Sequence, residues 1–150
     1  MSGSAVISVE RWHENWRVVS PPGAVSVKLA RRPAACAAAA EALLDLPSGT
    51  PVVLSAPGPW ASRRCRDVAA KASVELERGY LAFPSAVAPA FLVEDAREAI
   101  RVFVKRILIA PPGARSSLLA QAAVSLVRTL NPWRLMRLLA PGWVAVGRRT

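Results

Sequence analysis

The chain has 150 residues, 53% of them hydrophobic, and 20 lysines and arginines against 10 aspartates and glutamates give it a net charge of +10. This length fits one domain and excludes a large two-domain enzyme, while the hydrophobic content excludes wholesale disorder. A single histidine excludes a two-histidine metal centre, and two cysteines are too few for a disulfide framework. Neither a run of about 18 apolar residues nor a signal-peptide pattern occurs, so we expect a cytoplasmic protein.

The first part of the chain alternates short β-branched stretches with a helical segment. Residues 5–9 and 16–20 could pair as a hairpin, and residues 25–29 could form a further strand. Pro33 suits the first position of a helix, and the alanine-rich run up to Leu46 has high helix propensity. We therefore expect strands followed by one helix in this region.

A second strand, helix and strand follow. Residues 52–56 are short, continuous and β-branched, as is typical of a buried strand. Ser62 is placed to cap a helix over residues 63–72, and residues 74–83 alternate as a strand in which Gly79 marks a bulge. This order predicts an α/β fold, a small sheet in two or three layers whose strands are mostly parallel.

The last third reads as mostly helical. We predict helices over residues 96–109 and 117–130, and a third helix that begins at residue 132. Residues 143–147 are predicted to form a final strand, followed by a short basic tail.

Positive charge is concentrated towards the end of the chain. Residues 1–60 carry a net charge of +1 and residues 61–95 carry none, whereas residues 96–150 hold ten basic residues and one acidic residue. We expect one domain over residues 1–150, with the strand–helix alternation in 1–95 and a basic helical part after it. Such a distribution favours an anionic partner. The alternative is that the 17 arginines against 3 lysines reflect the base composition of the coding sequence.

The loop after the strand at residues 52–56 is the candidate ligand site. In a parallel sheet the carboxyl ends of the strands form the ligand crevice, and a helix that begins there offers free N–H groups to anions. Arginines in the first turn of the helix oppose its macrodipole unless an anion is bound. The predicted ligand-binding residues are Ser55, Gly58, Ser62, Arg63, Arg64 and Arg66. The alternative is that these arginines pair with Asp67, Glu75 or Glu77.

A second set of basic residues defines a predicted basic surface. Its members are Arg97, Arg101, Lys105, Arg134 and Arg137. Residues 132–143 mix tryptophan, leucine, methionine and arginine as interfacial helices do, although the same apolar residues could pack on the sheet. Nucleic acid is the less favoured anion, because few aromatic residues are interleaved with the basic ones.

No catalytic group is assigned from the sequence. Phosphate-binding and dinucleotide-binding glycine motifs are absent. Neighbouring arginines would lower the thiol pKa of Cys65, but a nucleophilic cysteine needs a base and the one histidine is His13, so Cys65 is interpreted as a core residue. The carboxylate pairs Glu75/Glu77 and Glu94/Asp95 are explained by solvation and helix capping.

In the order of its strands and helices, at residues 16–19, 52–58 and 74–83, the chain resembles Rossmann-like transferase domains such as class I methyltransferases. The resemblance covers about residues 16–95 and implies a crevice that holds a cofactor. The family carries a glycine-rich first loop and an acidic residue after the next strand. Here residues 21–23 are Pro-Pro-Gly and Ser55 stands at the second place, so no family residue is assigned.

We therefore expect a small, non-catalytic α/β module that binds an anionic ligand or an acidic protein partner through its basic surface. It would act as a homo-oligomer or with an obligate partner. One alternative is a reduced Rossmann-like transferase that acts on a phosphate-bearing substrate. Another is a peripheral membrane protein anchored by residues 132–149. No metal site is expected, and no cofactor is assigned.

Overall fold

A computed structural model describes residues 19–87, 89–107 and 133–150, and residues 118, 121, 122, 125, 126 and 129. The strands are β1 (Val25–Lys28), β2 (Pro51–Pro57), β3 (Val74–Phe83), β4 (Phe91–Glu94) and β5 (Gly142–Arg149). The helices are α1 (Pro33–Leu44), α2 (Ala61–Lys71), α3 (Arg97–Val102), which continues as a π-helical turn (Phe103–Ile107), and α4 (Trp133–Leu139).

The five strands form one mixed sheet in the order β1-β2-β5-β3-β4. β1 and β2 are parallel, whereas β5 is antiparallel to both β2 and β3, and β4 is antiparallel to β3. The α/β class is confirmed, but the expectation of a mostly parallel sheet is wrong. The strand–helix–strand order does give β1, β2 and β3 the same direction. The sheet is nevertheless mixed, because β5, the last strand in the sequence, lies between β2 and β3 and runs in the opposite direction.

The described helices share one face of the sheet. The main core lies there, and α2 packs across β2, β5 and β3. A smaller buried cluster occupies the other face, with Val53, Ala82 and Val144 fully buried. Both faces of β2 are therefore covered, which explains its continuous apolar sequence.

Most predicted elements exist, with shifted details. The strands at residues 25–29, 52–56, 74–83 and 143–147 and the helix that begins at Pro33 are confirmed.

Three details differ from the prediction. The bulge in β3 lies between Leu76 and Arg78, not at Gly79, and the ring of Trp143 occupies the place where a side chain on Gly79 would stand. Helix α2 begins at Ala61 with Trp60 as its cap residue, so Ser62 lies in the first turn and is not the cap. β4 was not predicted, because four residues directly before a helix give too short a strand pattern.

Two predictions concern segments that the structure describes only in part. The hairpin of residues 5–9 and 16–20 lies outside the described residues except for Val19 and Ser20, which are not in a strand. In the predicted helix over residues 117–130, the six described residues are helical. Across the described ranges, no helix has the length and apolar character needed to cross a bilayer.

Candidate anion-binding cleft

Four arginines from two distant parts of the sequence line one cleft of about 550 Å³ between α2 and α4. We call it the α2–α4 cleft. Its lining residues are Trp60, Ser62, Arg63, Arg66 and Asp67 on the α2 side and Trp133, Arg134, Arg137 and Leu138 on the α4 side. The volume falls within the range of roughly 300–1,000 Å³ that small-molecule sites occupy.

The antiparallel pairing of β2 with β5 brings the two helices together. Pro57 at the end of β2 is paired with Gly142 at the start of β5, so the beginning of α2 meets the end of α4. Two backbone hydrogen bonds fix this junction. The N–H of Gly58 donates to the carbonyl of Pro141 at 2.7 Å, and the N–H of Trp60 donates to the carbonyl of Leu138 at 3.1 Å.

Trp60 lies directly before the first turn of α2 and has an unfavourable backbone conformation. Its φ is 62°, in the left-handed region, and its side chain makes no hydrogen bond to the helix end. For a residue with a Cβ this conformation costs about 1–2 kcal/mol. The residue is nevertheless 52% exposed. Trp60 therefore occupies the cap position without a capping hydrogen bond from its side chain, and its ring does not fill the core.

A buried carboxylate holds two of the four arginines. Asp95 follows β4, and its side chain is only 6% exposed. Arg66 Nη2 donates to Asp95 Oδ2 at 3.2 Å, and Arg137 Nε lies 2.8 Å from the same oxygen, with the two arginine side chains 43% and 30% exposed. Asp95 therefore orients both guanidiniums in the wall of the cleft.

The surroundings of Asp95 act on its ionisation in opposite directions. Burial raises the pKa of Asp95, while Arg66 and the indole N–H of Trp143 lower it in part. Asp95 Oδ1, Trp143 Nε1 and Arg137 Nε are all buried, and none of them makes a hydrogen bond of good geometry, so Arg137 meets Asp95 as an ion pair. Arg66 also lies over the Trp143 ring, 5.4 Å from its centroid. Burial thus opposes the ionised carboxylate of Asp95, and Arg66 and Trp143 favour it.

The other two arginines are more accessible. Arg63 Nε is 3.9 Å from Asp67 Oδ2, and these side chains are 75% and 62% exposed. An exposed pair at that distance contributes only about 0–1 kcal/mol, so it yields readily to a competing anion. The exposed side chain of Arg134 places its guanidinium over the Trp133 ring, 5.5 Å from the centroid. With four guanidiniums and two carboxylates, the described part of the cleft carries excess positive charge.

Three of the predicted ligand-binding residues lie elsewhere. Arg64 donates hydrogen bonds to the carbonyls of Pro59, at 2.9 Å, and Pro57, so it fastens the loop before α2. Gly58 has a φ of 74°, and the side chain of Arg31 occupies the space where a Cβ would stand. Ser55 lines a small cavity of about 200 Å³ together with Lys28 and Ala86, away from the cleft. The cleft therefore contains Ser62, Arg63 and Arg66 from that prediction.

The predicted basic surface is divided in the same way. Arg134 and Arg137 line the cleft, whereas Arg97, Arg101 and Lys105 are exposed on α3 and the π-helical turn and do not line it. Since residues 142–149 form β5 inside the sheet, the membrane-anchoring alternative is left with α4 alone.

The remaining candidates have structural explanations. Cys65 is fully buried in the main core, and burial raises the pKa of its thiol to about 12 although Arg64 and Arg66 lower it, as is typical of a structural cysteine. Glu77 pairs with Arg148 at 2.8 Å. Across the described ranges, no group of three or more histidines, cysteines or carboxylates is arranged to hold a metal ion.

Sequence reasoning missed Trp60 and Asp95 as site residues. Trp60, between Pro59 and the arginines of α2, was a usable signal. It was missed because only aromatic residues in the basic last third of the chain were considered as ligand contacts. Asp95 gave no such signal, because its contacts depend on β4, which was not predicted.

No family model matches the chain, and no curated protein or solved structure matches it either. The chemistry of the cleft is therefore interpreted from its own geometry.

Proposed function

We propose that this protein is a binding module that takes up a phosphate or pyrophosphate group in the α2–α4 cleft. The observation that carries the proposal is the convergence of Arg63 and Arg66 with Arg134 and Arg137 around one concavity. Guanidiniums are always charged, weakly hydrated and shaped to donate two hydrogen bonds to one phosphate. A cleft with four of them fits a multiply charged anion.

The contact with Asp95 supports this proposal. A carboxylate that fixes two arginines removes part of the entropy that the ligand would otherwise lose in ordering them. Arg63 and Arg134 then supply the accessible donors. Two charge-assisted hydrogen bonds contribute about 3–6 kcal/mol, which corresponds to dissociation constants from roughly 6 mM down to about 40 μM.

Binding is favoured over catalysis by the groups that line the cleft. A guanidinium does not give up its proton at neutral pH, so it cannot act as a general acid or base. The carboxylates near the cleft, Asp67 and Asp95, are each paired with arginine in the part that the structure describes. The proposed role is therefore to hold an anionic group.

Calorimetric titration with inorganic pyrophosphate at low ionic strength tests the proposal. Low salt is needed because exposed charges are screened. The test variant is Arg63→Ala/Arg134→Ala, and the control is Arg97→Ala/Arg101→Ala, which removes the same charge outside the cleft. We expect the cleft variant to lose at least about tenfold in affinity, equivalent to roughly 1.4 kcal/mol, and the control to lose less than about threefold.

Two results would refute this function. One is the absence of pyrophosphate binding by the unmodified protein at millimolar concentration. The other is an equal loss in both variants, which would show that net charge alone attracts the anion.

A further inference from the structure

We infer that the anionic group taken up by the α2–α4 cleft belongs to a nucleotide, whose base stacks on the exposed indole of Trp60. The inference rests on the proposed function and names its ligand class. It is carried by the combination of a strained, exposed tryptophan with the arginines in the same concavity.

The choice of tryptophan at position 60 is not explained by folding. A left-handed backbone suits glycine or asparagine, and the cap position of a helix favours a small polar side chain. Tryptophan meets neither of these preferences. The ring of Trp60 is half exposed, whereas Trp143 is buried in the core. Strained residues that persist in a fold are often found where a ligand binds. The indole at this position is therefore available to a planar group.

The opposite side of the cleft adds a second flat surface. Trp133 lines the cleft and packs in part against the main core, and the guanidinium of Arg134 lies over its ring. This contact holds Arg134 against an apolar surface within the cleft. Aromatic faces next to guanidiniums match a ligand that has a base at one end and phosphates at the other.

Phosphate-containing ligands other than nucleotides lack the aromatic base. A sugar phosphate or an inorganic phosphate has no π-face to place on Trp60. Stacking one base on an aromatic side chain raises affinity by roughly 5- to 150-fold, which is the gain that a nucleotide would show over pyrophosphate. The base and its phosphates could come from a free nucleotide or from the end of a single strand.

Calorimetric titration with four probes tests the inference. The probes are ADP, inorganic pyrophosphate, ribose 5-phosphate and a four-nucleotide single strand. ADP and pyrophosphate share their two phosphates, so the ratio of their affinities measures the contribution of the nucleoside. We expect ADP or the single strand to bind at least about fivefold tighter than pyrophosphate, with quenching of tryptophan fluorescence. Tighter binding of ADP would identify a free nucleotide as the ligand, and tighter binding of the single strand would identify the end of a nucleic acid strand.

Trp60→Gly and Trp60→Phe locate the effect. Glycine removes the ring and suits the backbone at φ 62°, so we expect this variant to fold. It should keep its affinity for pyrophosphate within about twofold and lose the preference for the nucleotide, whereas Trp60→Phe keeps most of that preference. Trp60→Asn provides a second variant that tolerates a left-handed backbone.

The outcomes separate the inference from the proposed function. Equal affinity for ADP, the single strand and pyrophosphate would overturn the nucleotide assignment and leave the anion site in place. A nucleotide preference that survives in Trp60→Gly would overturn the role of Trp60. A failure of every probe to bind would refute the proposed function and this inference together.

Discussion

Replacement of Asp95 by asparagine should destabilise the protein and strengthen anion binding at the same time. The substitution keeps the shape of the side chain and removes the charge that Arg66 and Arg137 contact at 3.2 and 2.8 Å. Breaking a fully buried ion pair costs about 3–5 kcal/mol and an exposed pair less than about 1 kcal/mol. Here the carboxylate is buried and the arginines are partly exposed, so we expect a loss of about 1–3 kcal/mol.

Thermal unfolding measures the first effect. For a domain of this size, each kcal/mol shifts the Tm by roughly 2–4 °C, so Asp95→Asn should lower it by about 2–12 °C. Asp67→Asn is the matched control, because it removes the same charge from the exposed contact with Arg63. We expect the control to change the stability by less than about 0.5 kcal/mol.

Pyrophosphate titration of Asp95→Asn measures the second effect. Removal of the carboxylate has two opposite effects on affinity. The ligand must then order two arginines itself, which costs about 1–3 kcal/mol in total. Repulsion of about 1 kcal/mol per unit of ligand charge is lost, for charges about 8 Å apart at an effective dielectric constant of about 40, so for a ligand with about three negative charges the affinity should rise by up to about 30-fold. Bound anion should then restore part of the lost stability. Weaker pyrophosphate binding by Asp95→Asn would refute the idea that repulsion from this carboxylate opposes the ligand at the arginines they share.

Three further predictions concern the frame of the site. Gly79→Ala drives a methyl group into the ring of Trp143, so we expect a loss of about 1–3 kcal/mol in chemical unfolding, and an unchanged midpoint would contradict the packing. Cys36 should react with Ellman's reagent in the native protein at pH 8. Cys65 should react only after unfolding, because it is buried and its thiol pKa is raised to about 12. Equal reaction rates for the two thiols in the native protein would refute this prediction. Trp60→Gly should raise the Tm by up to about 8 °C by relieving the left-handed strain, and a marked fall would show that the ring supports the fold.

Local patterns in the sequence predicted individual strands and helices well. The continuous apolar run of β2 and the alanine-rich run of α1 require only neighbouring residues for their interpretation. The order of strands in the sheet was not accessible in this way. Residues 143–147 were predicted to form a strand, but nothing local shows that this strand lies between β2 and β3 with the opposite direction.

The same distinction applies to the site. The arginines of α2 and α4 were singled out separately, from their conflict with a helix dipole and from the charge of the last third. Their meeting in one cleft follows from the pairing of β2 with β5, a long-range contact. Arg64 looked equivalent to Arg63 and Arg66, yet its hydrogen bonds to backbone carbonyls depend on the path of the loop before α2.

Nuclear magnetic resonance of the arginine Nε–H groups during a pyrophosphate titration tests the central claim most directly. The signals of Arg63, Arg66 and Arg134, which line the α2–α4 cleft, should shift together along one saturable binding curve. Those of Arg97 and Arg101, which are exposed on α3, should stay in place. Equal, unsaturable shifts in both groups would show that the anion is attracted by net charge and that the cleft is not its site.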